Sequence, residues 1–282
     1  MQFGLKYGIA NEMGQVSLGE AQRVLSLAKE NKIDVLDTAI AYGASEDVLG
    51  QVGVDGFQVV TKLPSFPKDE DDIAFWVREQ VDGSMKRLKQ KKLYGLLFHR
   101  SQDLLGSQSD QLIDALAALK ADGLVEKIGV SIYGPEELDL MSNKIKIDLV
   151  QAPLNVVDRR LQCSGWLGRL KGNGIEVHVR SVFLQGLLLI ERQHVPAQFS
   201  RWSNLWDQWN NKLETAKVSR LVGCLSYPLS LEQVDRVVIG VDSAKQLSEV
   251  LAAARSGNEE FDTTFMCTSD VELINPSRWA HL

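Results

Sequence analysis

One pattern runs through the chain and limits what it can fold into. A short apolar, β-rich run is followed by a polar loop and then by a segment of helical periodicity. The runs are Ile33–Asp37, Phe57–Thr61, Tyr94–Phe98, Lys127–Ser131, Ile147–Gln151, Ile175–Arg180 and Arg236–Gly240. Strands covered on both faces read this way, because a parallel sheet buries both sides. Helix candidates alternate with them: Ser17–Asn31, Asp71–Lys89, Ser109–Ala121, Pro135–Met141, Asp158–Lys171, Asn204–Val222 and Ser243–Ala254. Ser17 is a candidate cap, with Glu20 at capping-box spacing. The alternation predicts an α/β fold: a parallel sheet with helices outside.

A closed barrel of this kind needs eight strands, and seven are visible. The eighth belongs before Ser17, where only Met1–Leu5 remains. The expectation is therefore a (β/α)8 TIM barrel whose first strand is truncated. No Pro/Gly-rich linker or repeat divides the chain, so residues 1–282 read as one domain. Gln193–Trp209 fills the widest gap between strands. Trp202, Trp206 and Trp209 share a helical face there, which favours packing on the barrel wall over a substrate lid.

A net charge of −6 argues against a general nucleic-acid binder but leaves room for a local basic pocket. Cys163, Cys224 and Cys267 show no disulfide or metal-knuckle spacing and read as buried or half-buried thiols. His178, His194 and His281 have no metal-ligand spacing, and no metal is expected. No apolar run approaches the roughly 20 residues that span a bilayer. Met1-Gln2-Phe3-Gly4 lacks the marks of a signal peptide. A cytoplasmic location is the default expectation, with no membrane partner.

The chemistry gathers at strand ends. The first run ends Asp37-Thr38-Ala39, with Tyr42 just beyond; the second ends Thr61-Lys62; the third ends Phe98-His99-Arg100. In a barrel of parallel strands those ends share one face. A tyrosine, with a reference pKa near ~10, needs help to act as an acid at neutral pH. A neighbouring lysine is expected to lower that pKa, and a buried aspartate to keep the lysine charged. A histidine can donate to a carbonyl oxygen. Singly, each residue has an ordinary reading: Asp37 as a helix cap, Tyr42 as a loop aromatic, Lys62 as a solvated cation, His99 as a strand-end histidine. Four compatible groups on one rim carry more weight.

Asp37-Thr38-Ala39-Ile40-Ala41-Tyr42-Gly43 with Ser45-Glu46 resembles the signature of the aldo-keto reductase superfamily. Thr61-Lys62 and Phe98-His99 resemble its lysine and histidine blocks. Gly129-Val130-Ser131, Gln151–Asn155, Ser181–Leu188 and Val238–Ser243 resemble its later strand-end blocks, in order. The resemblance implies NAD(P)H-dependent reduction of an aldehyde or ketone to an alcohol. Tyr42 would be the proton donor, tuned by Lys62 and Asp37, with His99 positioning the carbonyl. NADP(H) is the implied cofactor, with NAD(H) as the alternative. Its nicotinamide would meet Ser131 and Gln151, its pyrophosphate the loop of Ser181, Leu184 and Gly186, and its adenosine end Gly240, Asp242, Gln246 and Glu249.

The sequence departs from that pattern in places. Ile132 stands where an asparagine is usual, and Arg180 where an aromatic often stacks on the nicotinamide. Arg180 could meet the cofactor diphosphate, an anionic substrate or a nearby carboxylate. Gln246 takes an expected arginine position, and Asp242 would repel a 2′-phosphate. Arg100 joins Arg180 as a candidate basic lining, whereas Arg159 and Arg160 read as surface residues at a helix start. Resemblance to bacterial relatives found with polysaccharide biosynthesis points to a keto-sugar derivative as substrate. The competing reading is a nicotinamide-binding barrel that acts as a sensing or partner subunit with little turnover.

Overall fold

The apolar runs become strands and the periodic segments become helices. The computed structural model describes residues 3–5, 14–67, 71–141, 146–257 and 261–282. The strands are β1 (Val35–Asp37), β2 (Gln58–Leu63), β3 (Leu93–Phe98), β4 (Val125–Ser131), β5 (Leu149–Pro153), β6 (Glu176–Arg180) and β7 (Arg236–Val237). Every pairing is parallel and the order is sequential. β2, β3 and β5 are buried along nearly their whole length, as strands covered on both faces are.

The main helices are α1 (Leu18–Glu30), α2 (Ser45–Val52), α3 (Ile73–Leu88), α4 (Ser109–Ala121), α5 (Glu136–Met141), α6 (Arg160–Cys163), α7 (Trp166–Gly172), α8 (Ser203–Ala216), α9 (Arg220–Leu229), α10 (Ala244–Ser256) and α11 (Val271–Ile274). Ser17 caps α1 by accepting from the Glu20 amide. Glu20 does not complete the capping box. Its carboxylate crosses instead to the amide of Ala244, 2.6 Å away at the start of α10.

Two expected helices are each broken in two. Asp158–Lys171 divides at Gly165, whose φ of 77° lies in the left-handed region that favours glycine. Asn204–Val222 divides at Lys217, φ 54°, and restarts under a Ser219 cap. Trp206 and Trp209 of α8 are buried, and the Trp209 indole donates to Leu188 O just beyond β6. Trp206 and Trp209 therefore pack on the wall, whereas Trp202 lies in the turn before α8 and donates to Asp270.

Among the described residues the sheet has seven strands. Phe3–Leu5 form a turn against the Tyr42–Ser45 loop, where a Cβ on Gly4 would meet Tyr42 O. Met1 and Gln2, the rest of the expected first strand, lie outside the described residues. The sheet curls until its edge strands β1 and β7 line one apolar cavity of about 360 Å³, with side chains from α1 and α10. At its lower end Arg236 of β7 pairs with Asp34 beside β1 at 2.9 Å. No described helix is long and apolar enough to cross a membrane.

Several expectations about single side chains are overturned. Cys163 and Cys267 are exposed, and only Cys224 is buried. Arg159 is buried, with its guanidinium 4.0 Å above the Tyr227 ring and bonded to Thr263 Oγ1. Arg160 is ion-paired to Asp158 at 2.9 Å. Arg159 and Arg160 do flank a helix start, but tertiary contacts draw them in from the surface. His178 is fully buried against Glu176 at 2.7 Å.

Candidate active site

The C-terminal ends of the parallel strands converge. Asp37 closes β1 and Lys62 lies near the end of β2, in register so that Lys62 Nζ reaches both Asp37 oxygens at 2.7 and 2.8 Å. The ammonium also donates to Thr38 O at 2.8 Å. Gln151 of β5 donates to Asp37 Oδ1 at 2.7 Å from 114 positions along the chain. Asp37 caps no helix, and Lys62 is only 1% exposed, so neither ordinary reading survives.

Tyr42 follows on the loop between β1 and α2, and His99 follows β3. Their rings meet edge to face, with centroids 5.6 Å apart. Lys62 Nζ lies 5.3 Å from the Tyr42 ring centre. Two hydrogen-bond clusters hold these loops. Thr38 donates to Ser45, and buried Glu46 of α2 accepts from Thr61 of β2 (2.6 Å), Ser84 of α3 (2.7 Å) and Arg87 of α3 (2.8 Å). On the other side Glu137 of α5 accepts from the amides of Tyr133 and Gly134 and from Ser101, tying the β4 loop to the segment after His99.

Burial works to raise the Asp37 pKa, but the Lys62 ammonium and the bonds from Lys62 and Gln151 outweigh it and hold it low. Burial lowers the Lys62 pKa, only partly opposed by Asp37. The expected lowering at Tyr42 is not what the geometry gives. Burial, then the Asp37 charge, push its phenol up, because Lys62 is already spent on three acceptors. Tyr42 therefore keeps its proton. Burial, then the Lys62 and Arg180 charges, hold His99 down at about 4, so its ring is neutral at pH 7.

That shift has a consequence for stability. An unfolded histidine binds its proton near pH ~6.5. Native His99 does so only at about 4. Between those values the unfolded chain holds more protons, so stability drops as the pH falls from 6.5 towards 4. Glu176 acts lower down. Burial raises its pKa, but the bonds from His178, Lys127 and Tyr94 bring it to about 2. Its contribution is complete above pH ~4.5 and is lost as the pH falls towards 2. Urea unfolding is expected to weaken by about 2–3 kcal/mol between pH 7 and 4. His99→Gln should flatten that interval; an unchanged slope in the variant would rule His99 out as its source.

Of the other predicted residues, Ser131 and Gln151 are buried register partners on β4 and β5. Arg180 ends β6, and Ser181, φ 61°, turns the chain away from it. Leu184 is buried and its amide is bonded to Ser181 O, while Gly186 lies in the same loop with φ 94°. Gly240, Asp242, Gln246 and Glu249 lie apart from the Tyr42 group, after β7 and along α10. There Gln246 Oε1 accepts from the Asp242 amide and Lys245 faces Glu249 at 3.9 Å. Arg100 is exposed and reaches Ser65 at 3.3 Å.

Two site features escaped the sequence reading. Tyr133, two residues past Ser131, lies under Arg180 with its ring 4.9 Å from the guanidinium carbon. An aromatic just beyond a strand end was the available signal. Glu20 at the α10 N-terminus left no signal, since its partner is 224 positions away.

The donors at the mouth are Ser131, Gln151, Ser181 and Arg180, and Lys62 neutralises Asp37. Neutral and cationic donors of this kind suit an amide and an anionic group.

Comparison with known proteins identifies the fold and the family. A holo aldo-keto reductase of Bacillus halodurans superposes with a TM-score of 0.73 at 20% identity, covering 93% of this chain and 95% of that one. The glycerol dehydrogenase of Gluconobacter oxydans superposes at 0.68 and 18% identity, covering 94% of each. In sequence, the uncharacterized oxidoreductase YqkF of Bacillus subtilis is 26% identical over 272 residues, 86% of each chain. L-galactose dehydrogenase of Arabidopsis thaliana is 24% identical over 271 residues, 87% of this chain and 81% of that protein. The sequence model of the Aldo/keto reductase family matches residues 1–266. The chain belongs to the aldo/keto reductase family, and its fold and family make it an oxidoreductase of the class that works with nicotinamide cofactors.

Proposed function

We propose that this chain reduces an aldehyde or ketone to an alcohol with Tyr42 as the proton donor. The observation that carries the reading is the Asp37–Lys62 pair, held by Gln151 and set beneath a still-protonated Tyr42 in contact with a neutral His99. Tyr42 keeps its proton until charge develops on the carbonyl oxygen, which is when a general acid must act. His99, uncharged, donates one N–H to that oxygen and orients it. Asp37 keeps Lys62 charged, and the ammonium stabilises the phenolate left behind. The reduced nicotinamide, when bound, supplies the hydride. Ser131 and Gln151 would hold its amide, Ser181, Leu184 and Gly186 its middle, and Gly240, Asp242, Gln246 and Glu249 its adenosine end. A keto-sugar derivative remains the substrate class of choice, in keeping with a relative named for L-galactose.

The resemblance implies NADP(H), but the charge around α10 favours NAD(H). The Glu20 carboxylate already holds the Ala244 amide, Asp242 lies half-buried beside it, and Lys245 is almost fully exposed. Carboxylates there repel a 2′-phosphate and suit a ribose hydroxyl. Titration by tryptophan quenching is expected to give NADH a Kd equal to or below that of NADPH. A clear preference for NADPH would refute the charge argument. Binding of neither would defeat the reductase reading, and binding with no turnover on any aldehyde would favour a sensing or partner role.

A further inference from the structure

Among the described residues, the barrel mouth holds two buried or half-buried cations, Lys62 and Arg180, and a carboxylate pairs with Lys62 alone. Arg180 closes β6 opposite Pro153 of β5, on the same rim as the proton donor. Its Nη2 donates to Ile132 O at 2.9 Å and its Nη1 to Ser181 Oγ at 3.1 Å. Tyr133 lies against the guanidinium face. All three partners are uncharged. Among the described residues no carboxylate pairs with Arg180, whereas Arg87 and Arg236 each have one and Arg160 has two.

Those two bonds use two of five guanidinium N–H groups, leaving a planar fork with donors to spare. Withdrawing a cation from water without a counter-ion is costly, and such a group is a ready partner for an anion that enters later. The three tethers hold the guanidinium over the ends of β4 and β6. The Arg180 charge is felt at both Tyr42 and His99, so the guanidinium is close to the chemistry.

We propose that Arg180 reads a carboxylate carried by the substrate, so that the preferred substrate is an oxo acid rather than a neutral aldehyde or ketone. The tethers to Ile132, Ser181 and Tyr133 hold the guanidinium in place before the anion arrives. The proposal rests on the reductase reading of the same site.

The test compares 4-carboxybenzaldehyde with its uncharged analogue 4-formylbenzamide on the full chain with saturating NADH or NADPH. The ratio of their kcat/KM values is expected to favour the acid by about tenfold or more, mainly through KM. In Arg180→Met the ratio should fall to about one whatever the absolute rates, and Arg180→Lys should restore part of it. Benzoate should quench tryptophan fluorescence of the cofactor-loaded wild type and not of Arg180→Met. A wild-type ratio near one overturns the proposal. So does a ratio that survives in Arg180→Met while cofactor binding weakens, which would assign the guanidinium to the diphosphate. If the wild type binds cofactor but reduces neither aldehyde, the reductase reading falls and takes this proposal with it. Equal reduction of both sinks the proposal alone.

Discussion

Tyr42→Phe is expected to lower kcat for carbonyl reduction by about 10³-fold or more while cofactor affinity stays within about twofold. The substitution removes one oxygen and keeps the ring. The edge-to-face contact with His99 and the approach of Lys62 to the ring are therefore preserved. What disappears is the phenol that burial keeps protonated. His99 does not take over, because its ring is uncharged above pH about 4. Steady-state rates on one aldehyde, with a parallel cofactor titration, separate the two effects. A variant within tenfold of wild type would show that the proton comes from elsewhere. With Tyr42 intact, the rate should stay flat through neutral pH, since the phenol pKa is pushed upward rather than into the working range.

Glu46→Ala is expected to destabilise the fold by about 3 kcal/mol. The Glu46 side chain is 2% exposed and accepts from Thr61, Ser84 and Arg87. Its removal leaves two fully buried hydroxyls without that acceptor and strips a counter-ion from Arg87, which is one-third exposed. Glu46→Gln keeps the packing and should cost roughly half as much. The loss should reach the chemistry too, because Thr61 adjoins Lys62 and α2 follows the Tyr42 loop. Urea unfolding at pH 7 measures the first effect and kcat the second. A loss below about 1 kcal/mol for the alanine variant would mean that the cluster relaxes without its carboxylate.

The sequence by itself determined whatever depends on neighbours along the chain. All seven strands fall on apolar runs found without coordinates, because a strand buried on both faces excludes polar residues locally. Parallel strands carry their C-terminal ends to one rim, so Asp37, Tyr42, Lys62 and His99 could be grouped before any contact was seen. The break at Gly165 was missed, although glycine after serine is a turn signal. The break at Lys217 carried no such signal, because a lysine gives no local sign of a left-handed backbone.

Only the tertiary structure decided matters that rest on partners far away in sequence. Gln151 reaches Asp37 across 114 positions, Glu20 reaches Ala244 across 224, and Arg159 finds Thr263 across 104. The direction of the Tyr42 shift belongs here as well. A lysine next to a tyrosine predicts a lowered pKa, yet Lys62 is consumed by Asp37 and Thr38, and burial wins. The uncompensated charge of Arg180 is the same kind of fact. The sequence supplies the cation, but whether a carboxylate meets it depends on how seven strand ends close around one mouth.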